Sequence, residues 1–128
     1  MALRADEGNS TVEFSLVCVL LVGLFLAVLQ LGFVLHTRNV LVASAQEGAR
    51  YGANADRDTA DAGARTREVV AGALSPTVAD QMSYDAQQVV RGGLLTVEVT
   101  VRGPLPLVFL PAGPLSVTAR GHALEEAR

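Results

Sequence analysis

The sequence predicts an α+β chain with one long N-terminal transmembrane helix, a second short helix and a small antiparallel β-sheet of about three strands. Three observations carry that prediction. Residues 14–35 contain no Asp, Glu, Lys or Arg. A polar break at residues 54–58 and a proline at position 76 bracket a stretch of helical character. From Met82 onward the apolar residues return at every second position.

The apolar run is long enough to cross a bilayer: at a rise of 1.5 Å per residue it spans about 33 Å, against roughly 30 Å of hydrocarbon. A core helix of a small soluble domain shows a polar face, and none interrupts Leu16, Val17, Val19, Leu20, Leu21, Val22, Leu24, Phe25 and Leu26. A carboxylate, Glu13, stands at the mouth of this run, five residues after Gly8. A secretory signal would carry basic residues ahead of the run and a small-residue cleavage site behind it. Here Arg4, Asp6, Glu7 and Glu13 precede it, and Gln30, Leu31, Gly32 and Phe33 continue it without an Ala-x-Ala site. Cys18 has neither the leucine nor the small residue of a lipoprotein signal in place, and reads as a small apolar residue facing lipid or a neighbouring helix.

Beyond Leu35 the helix continues. Leu41, Ala45, Gly48, Ala49 and Gly52 recur every three or four positions, a narrow helix-packing face of small side chains opposite Gln46, Glu47 and Arg50. Such a face permits close approach of another helix, either from the same domain or from another subunit. After the polar break, Asp58 or Thr59 is placed to cap a second helix reaching about Leu74, with Pro76 expected to stop it. Its apolar residues Val69, Val70, Ala73 and Leu74 lie toward the end.

Leu95, Val97, Val99 and Val101 alternate with Thr96, Glu98, Thr100 and Arg102, the pattern of a half-buried strand. A shorter strand is expected at residues 83–90, joined through Gly92 and Gly93, which suit a tight hairpin. A third, at residues 115–121, alternates Leu115, Val117 and Ala119 with Ser116, Thr118 and Arg120. Residues 104–111 carry three prolines and do not suit a central strand. Their apolar centre, Leu107, Val108, Phe109 and Leu110, is expected to fold over the sheet as a loop, the alternative being an exposed docking tip.

Composition excludes several functions. The net charge is −3, all 10 basic residues are arginine, and no basic stripe is interleaved with aromatic residues, so nucleic-acid binding has no footprint. The single cysteine excludes an intrachain disulfide and a thiolate metal cluster. His36 and His122 have no ligand-spaced partner. Ser10, Thr11 and Ser15 have no histidine and acid to activate them, and Asp56, Asp58 and Asp61 lack the oxygen-rich pattern of a calcium loop. No enzyme, cofactor, metal or small-molecule substrate is expected.

Gly8 followed by Asn9 and, at the fifth position after the glycine, Glu13 with Phe14 next, resembles a class III or prepilin-type signal. With Gln30-Leu31-Gly32, Arg38-Asn39-Val40-Leu41 and Ala45-Gln46-Glu47-Gly48-Ala49-Arg50-Tyr51-Gly52, it is similar to the N-terminal block of TadE-like proteins, pilin-like components of the tight-adherence (Flp) pilus system. The resemblance implies a leader at residues 1–8, cut between Gly8 and Asn9 by a prepilin peptidase. It further implies a mature transmembrane and extended helix at residues 9–53 and a small extracytoplasmic α+β domain at residues 54–128. Glu13, with Phe14, would then serve subunit pairing through the new α-amino group of Asn9, and the partners would be the membrane, the peptidase and other pilin-like subunits or assembly proteins. Arg4 and the α-amino group on one side nearly balance Arg38 and Arg50 on the other, so the cytoplasmic N-terminus is also an implication of the resemblance. The protein would lie in the cell membrane as a single-pass chain and could enter a surface pilus. The alternative is an uncleaved bitopic protein whose external domain binds a partner or ligand.

Overall fold

The computed structural model describes residues 2–105 and 115–125, with side chains from Gly8 onward. The first element, α1 (Ala2–Gly52), is one continuous helix of 51 residues, about 77 Å long. Residues 2–8 are thus helical too and continue into the apolar run. No proline interrupts it over this length. Ser15 and Ser44 bond back to the carbonyls of Thr11 and Val40, 2.9 and 2.8 Å away, within the helix itself.

A turn at residues 53–58 reverses the chain into α2 (Thr59–Ala73), which runs back along α1. Asp58 caps it: its Oδ1 accepts from the Asp61 amide at 3.0 Å, and Asp61 Oδ2 accepts from the Asp58 amide at 3.1 Å. Pro76 does not merely stop the chain, as the sequence suggested. It occupies the first turn of a third helix, α3 (Pro76–Gln81), whose N-cap Ser75 accepts from the Val78 amide at 3.1 Å. Proline suits that position because the first helical amides have no intrahelical acceptor, and its fixed φ is already helical.

Strands β1 (Ser83–Arg91), β2 (Leu94–Pro104) and β3 (Ser116–Leu124) form an antiparallel sheet with β2 in the centre. Gly92 and Gly93, at φ of 58° and 81°, make the two-residue turn between β1 and β2, a conformation that favours glycine at both positions. The third strand starts one residue later than the pattern suggested and runs three further.

One face of the sheet packs on the helices. Val97, Val99, Val101, Val117 and Ala119 are buried there with Leu41, Ala45 and Ala49 of α1 and Ala62 and Val70 of α2. Two features of β2 differ from simple alternation. Leu95 is exposed because it lies at the hairpin end, beyond the helices. Thr96, Glu98 and Thr100 are buried although they point away from the helices. As members of the central strand they are flanked on both sides, Thr100 by Asp85 and Arg120, Glu98 by Gln87 and His122, and Arg91 pairs with Glu98 across the hairpin. The apolar loop at residues 107–110 lies outside the described residues. Its flanks are joined by the Leu105 amide, which donates to the Leu115 carbonyl at 2.9 Å.

Candidate functional site

The sequence singled out two regions of α1, and the fold treats them oppositely. Near the N-terminus, Gly8, Asn9, Glu13 and Phe14 are all exposed on the bare helix. A Cβ added at Gly8 would meet nothing within 4 Å. Val12 and nearly every large apolar residue from Phe14 to Leu31 are likewise exposed, Phe14, Val19 and Leu20 at 70% or more. This is the one described helix long and apolar enough to cross a membrane. In water so much contiguous apolar surface would drive association, so its stable surroundings are lipid or other apolar helices.

The C-terminal part of the same helix is inside the fold. Leu41, Ala45 and Ala49 are fully buried. Gly48 and Gly52 sit against α2 so closely that a Cβ would run into Thr66 at the first position and Ala62 at the second, and would come within 2.7 Å of the Ala62 carbonyl and 2.9 Å of the Asp58 carbonyl. Of the two partners the sequence left open for this face, the structure shows the chain's own domain. β3 packs on the neighbouring side, where the Gly121 position faces the α1 backbone at Ala45 and Gln46. Gln46 also uses its side-chain amide like a short strand: Nε2 donates to the His122 carbonyl at 2.6 Å, and Oε1 accepts from the His122 amide at 3.2 Å. Sequence reasoning put Gln46 on a polar face and missed this bond. The glycine that breaks the alternation of β3 was the available signal, because such a glycine marks close backbone approach.

Tyr51 closes the top of the helical hairpin. The guanidinium carbons of Arg57 and Arg65 lie 4.7 and 5.7 Å from its ring centroid, within cation–π range. Arg65 also approaches Glu47 at 3.8 Å and Glu68 at 3.2 Å. These pairs are partly exposed and orient the hairpin more than they stabilise it. At the other end of α2, Tyr84 of β1 donates to the Ala79 carbonyl of α3 at 2.8 Å. Burial raises the pKa of this phenol; Arg67 opposes that rise and Asp80 adds to it. Arg67 and Asp80 are themselves paired.

The folded domain meets α1 as far down as the end of the apolar run. Leu74, Ser75 and Val78 face Phe33, His36 and Thr37 on one side, and Leu105, Ser116 and Val117 face Val34 and Arg38 on the other. Among the described residues, no three His, Cys, Asp or Glu side chains gather where they could hold a metal ion.

No curated protein and no solved structure matches the chain. The model of the TadE-like protein family matches residues 8–50, which begin at the exposed Gly8 and end beside the buried small-residue face. Over this helix, about a third of its length, the chain is similar to TadE-like proteins.

Proposed function

We infer that this chain is a pseudopilin or minor pilin that assists assembly of a tight-adherence pilus or a related secretion apparatus after cleavage by a prepilin peptidase. The observation that carries the reading is that the family match starts at Gly8, one residue before the proposed new N-terminus, on a helix whose apolar surface is left exposed by the described residues. Cleavage there removes residues 1–8. It leaves the α-amino group of Asn9 one helical turn before Glu13, on the same face. A carboxylate in a bilayer helix costs about 2.5 to 3.5 kcal/mol at the centre and less toward an end, so a cationic partner offsets a real penalty. That amine, from the same or a neighbouring subunit, is the partner assigned here. The domain faces outward, the N-terminus inward, and lateral packing of the exposed helix with other pilin-like helices performs the assembly role.

Intact-mass measurement of the membrane-extracted protein tests processing. The expected mature chain begins at Asn9, and Gly8→Val accumulates the full-length precursor; Gly8 has open space around it, so the substitution does not disturb the fold. A mature chain that retains Met1 in wild type overturns this reading in favour of the uncleaved bitopic protein. Glu13→Gln separates the second step: insertion stays intact, while co-purification with other pilin-like subunits falls. Unchanged recovery makes Glu13 an interfacial residue with no pairing role.

A further inference from the structure

Where the folded domain meets the end of the apolar run, α1 and the α2–α3 corner enclose a cleft of about 330 Å³. Its walls are mostly apolar, from Phe33, Ala73, Leu74 and Val78, with Thr37, His36 and Ser75 as the polar part. Thr37 is fully buried, and its hydroxyl has no hydrogen-bond partner. This is unusual within the same helix pair. The buried hydroxyls of Ser44 and Thr66 each donate back to the carbonyl four residues earlier, at 2.8 Å. The same bond is open to any helical threonine, and leaving a buried hydroxyl unpaired costs about 1 to 3 kcal/mol.

We propose that this cleft binds a membrane phospholipid by its glycerol-ester end, with Thr37 donating to an ester carbonyl and the first methylenes of one acyl chain lying against Phe33, Leu74 and Val78. Position selects this occupant. Phe33 belongs to the apolar run and Thr37 follows its end at Leu35, so the cleft opens at the depth where acyl chains give way to headgroups. The cleft has the volume of about eleven waters at roughly 30 Å³ each, enough for the ester region and several methylenes and too small for a whole lipid. A hydroxyl that donates once, set in an apolar wall, matches an ester carbonyl; a phosphate would call for a cation beside it. Lipid held here ties the α2–α3 corner to the bilayer surface and fixes how deep the domain sits on its helix.

The proposal rests on the membrane placement of α1, which the experiment reads separately. The full chain is placed one copy per nanodisc in phosphatidylethanolamine and phosphatidylglycerol, doped with a phospholipid that carries a diazirine on the acyl carbon nearest the ester. After irradiation, labelled peptides are mapped by mass spectrometry. Label is expected on the peptide holding Leu74 and Val78 as well as along the exposed apolar helix. Ala73→Phe, which fills the cleft, should lower the first at least about tenfold, and Thr37→Val about fivefold, the loss of one neutral hydrogen bond; both should leave the second unchanged. Label on the helix alone, or cleft label that neither substitution moves, overturns the proposal. Cleft protection appearing when two copies share a disc, with no lipid label in single-copy discs, assigns the cleft to a neighbouring subunit and overturns it too. Should either variant misfold by circular dichroism, the wild-type labelling decides alone. Absence of label along the apolar helix would instead overturn the membrane placement itself.

Discussion

At the scale of single residues, three glycines decide whether the domain can close on its own long helix. Gly48, Gly52 and Gly121 have no side chain where α2 and β3 press against α1, and a Cβ at Gly121 would fall within 2.6 Å of the Gln46 Cα. The obstacle there is backbone, which cannot swing aside as a flexible side chain would. Gly121→Val is therefore expected to destabilise the domain by about 3 kcal/mol or more, from overpacking against a helix that cannot move away. Thermal unfolding of the detergent-solubilised full chain checks it, with a fall of more than about 10 °C in the midpoint. Gly23→Ala is the control: a Cβ there meets nothing, so its midpoint should stay within a degree or two of wild type, about the shift of a few tenths of a kcal/mol. Gln46→Ala should act locally. It removes the amide that holds the His122 backbone, and the loss of about 1 kcal/mol should appear as faster hydrogen exchange at His122 while the exchange of Val99 in the central strand changes little.

At the scale of elements, the short α3 is held by its ends. Ser75 caps one, and the Tyr84 hydroxyl reaches the Ala79 carbonyl near the other. The phenol pKa is raised by burial, so the folded state favours neutral tyrosine. The unfolded chain loses this proton first, near pH 10, and from there upward the folded state holds more protons than the unfolded one. Stability contributed by Tyr84 is thus fully present below about pH 10 and is lost as pH rises through the folded-state value. Chemical-denaturant unfolding between about pH 9 and 11, roughly one unit either side of the ordinary tyrosine value, should show this alkaline loss in wild type. Tyr84→Phe should be less stable at neutral pH, for want of the hydrogen bond, and should show a smaller alkaline decline. An equal decline in both would assign it to other groups.

At the scale of the whole molecule, α1 serves two environments. Its first half presents apolar side chains outward, and its second half supplies Leu41, Ala45 and Ala49 to the domain core. The residues that follow it lose a large part of that core without α1, since both α2 and β3 pack on it. A small domain already has a thin stability margin. A chain starting at Asn54 is expected to remain unfolded, while one starting at Val34 keeps the buried face and folds. Circular dichroism and dispersion of amide proton shifts distinguish them. Cooperative folding of the shorter chain would show that the core does not depend on α1.

Much of this was legible in the chain itself. The apolar run, the period-two strands, the Gly92–Gly93 turn and the Asp58 cap are local features, set by residues within a turn or a hairpin of each other, and sequence pattern reads such interactions directly. The second helix does end before Pro76, but that the same proline opens α3 was not legible, because it depends on Ser75 capping the following turn. The burial of Thr96, Glu98 and Thr100 depended on β2 having a neighbour on each side, which alternation along one strand cannot report. The small-residue face of α1 was visible as a surface built for close packing, but its partner was not. Spacing tells how near another backbone can come, whereas the identity of that backbone is fixed by long-range closure of α2 and β3 onto α1, and only the tertiary structure decides it.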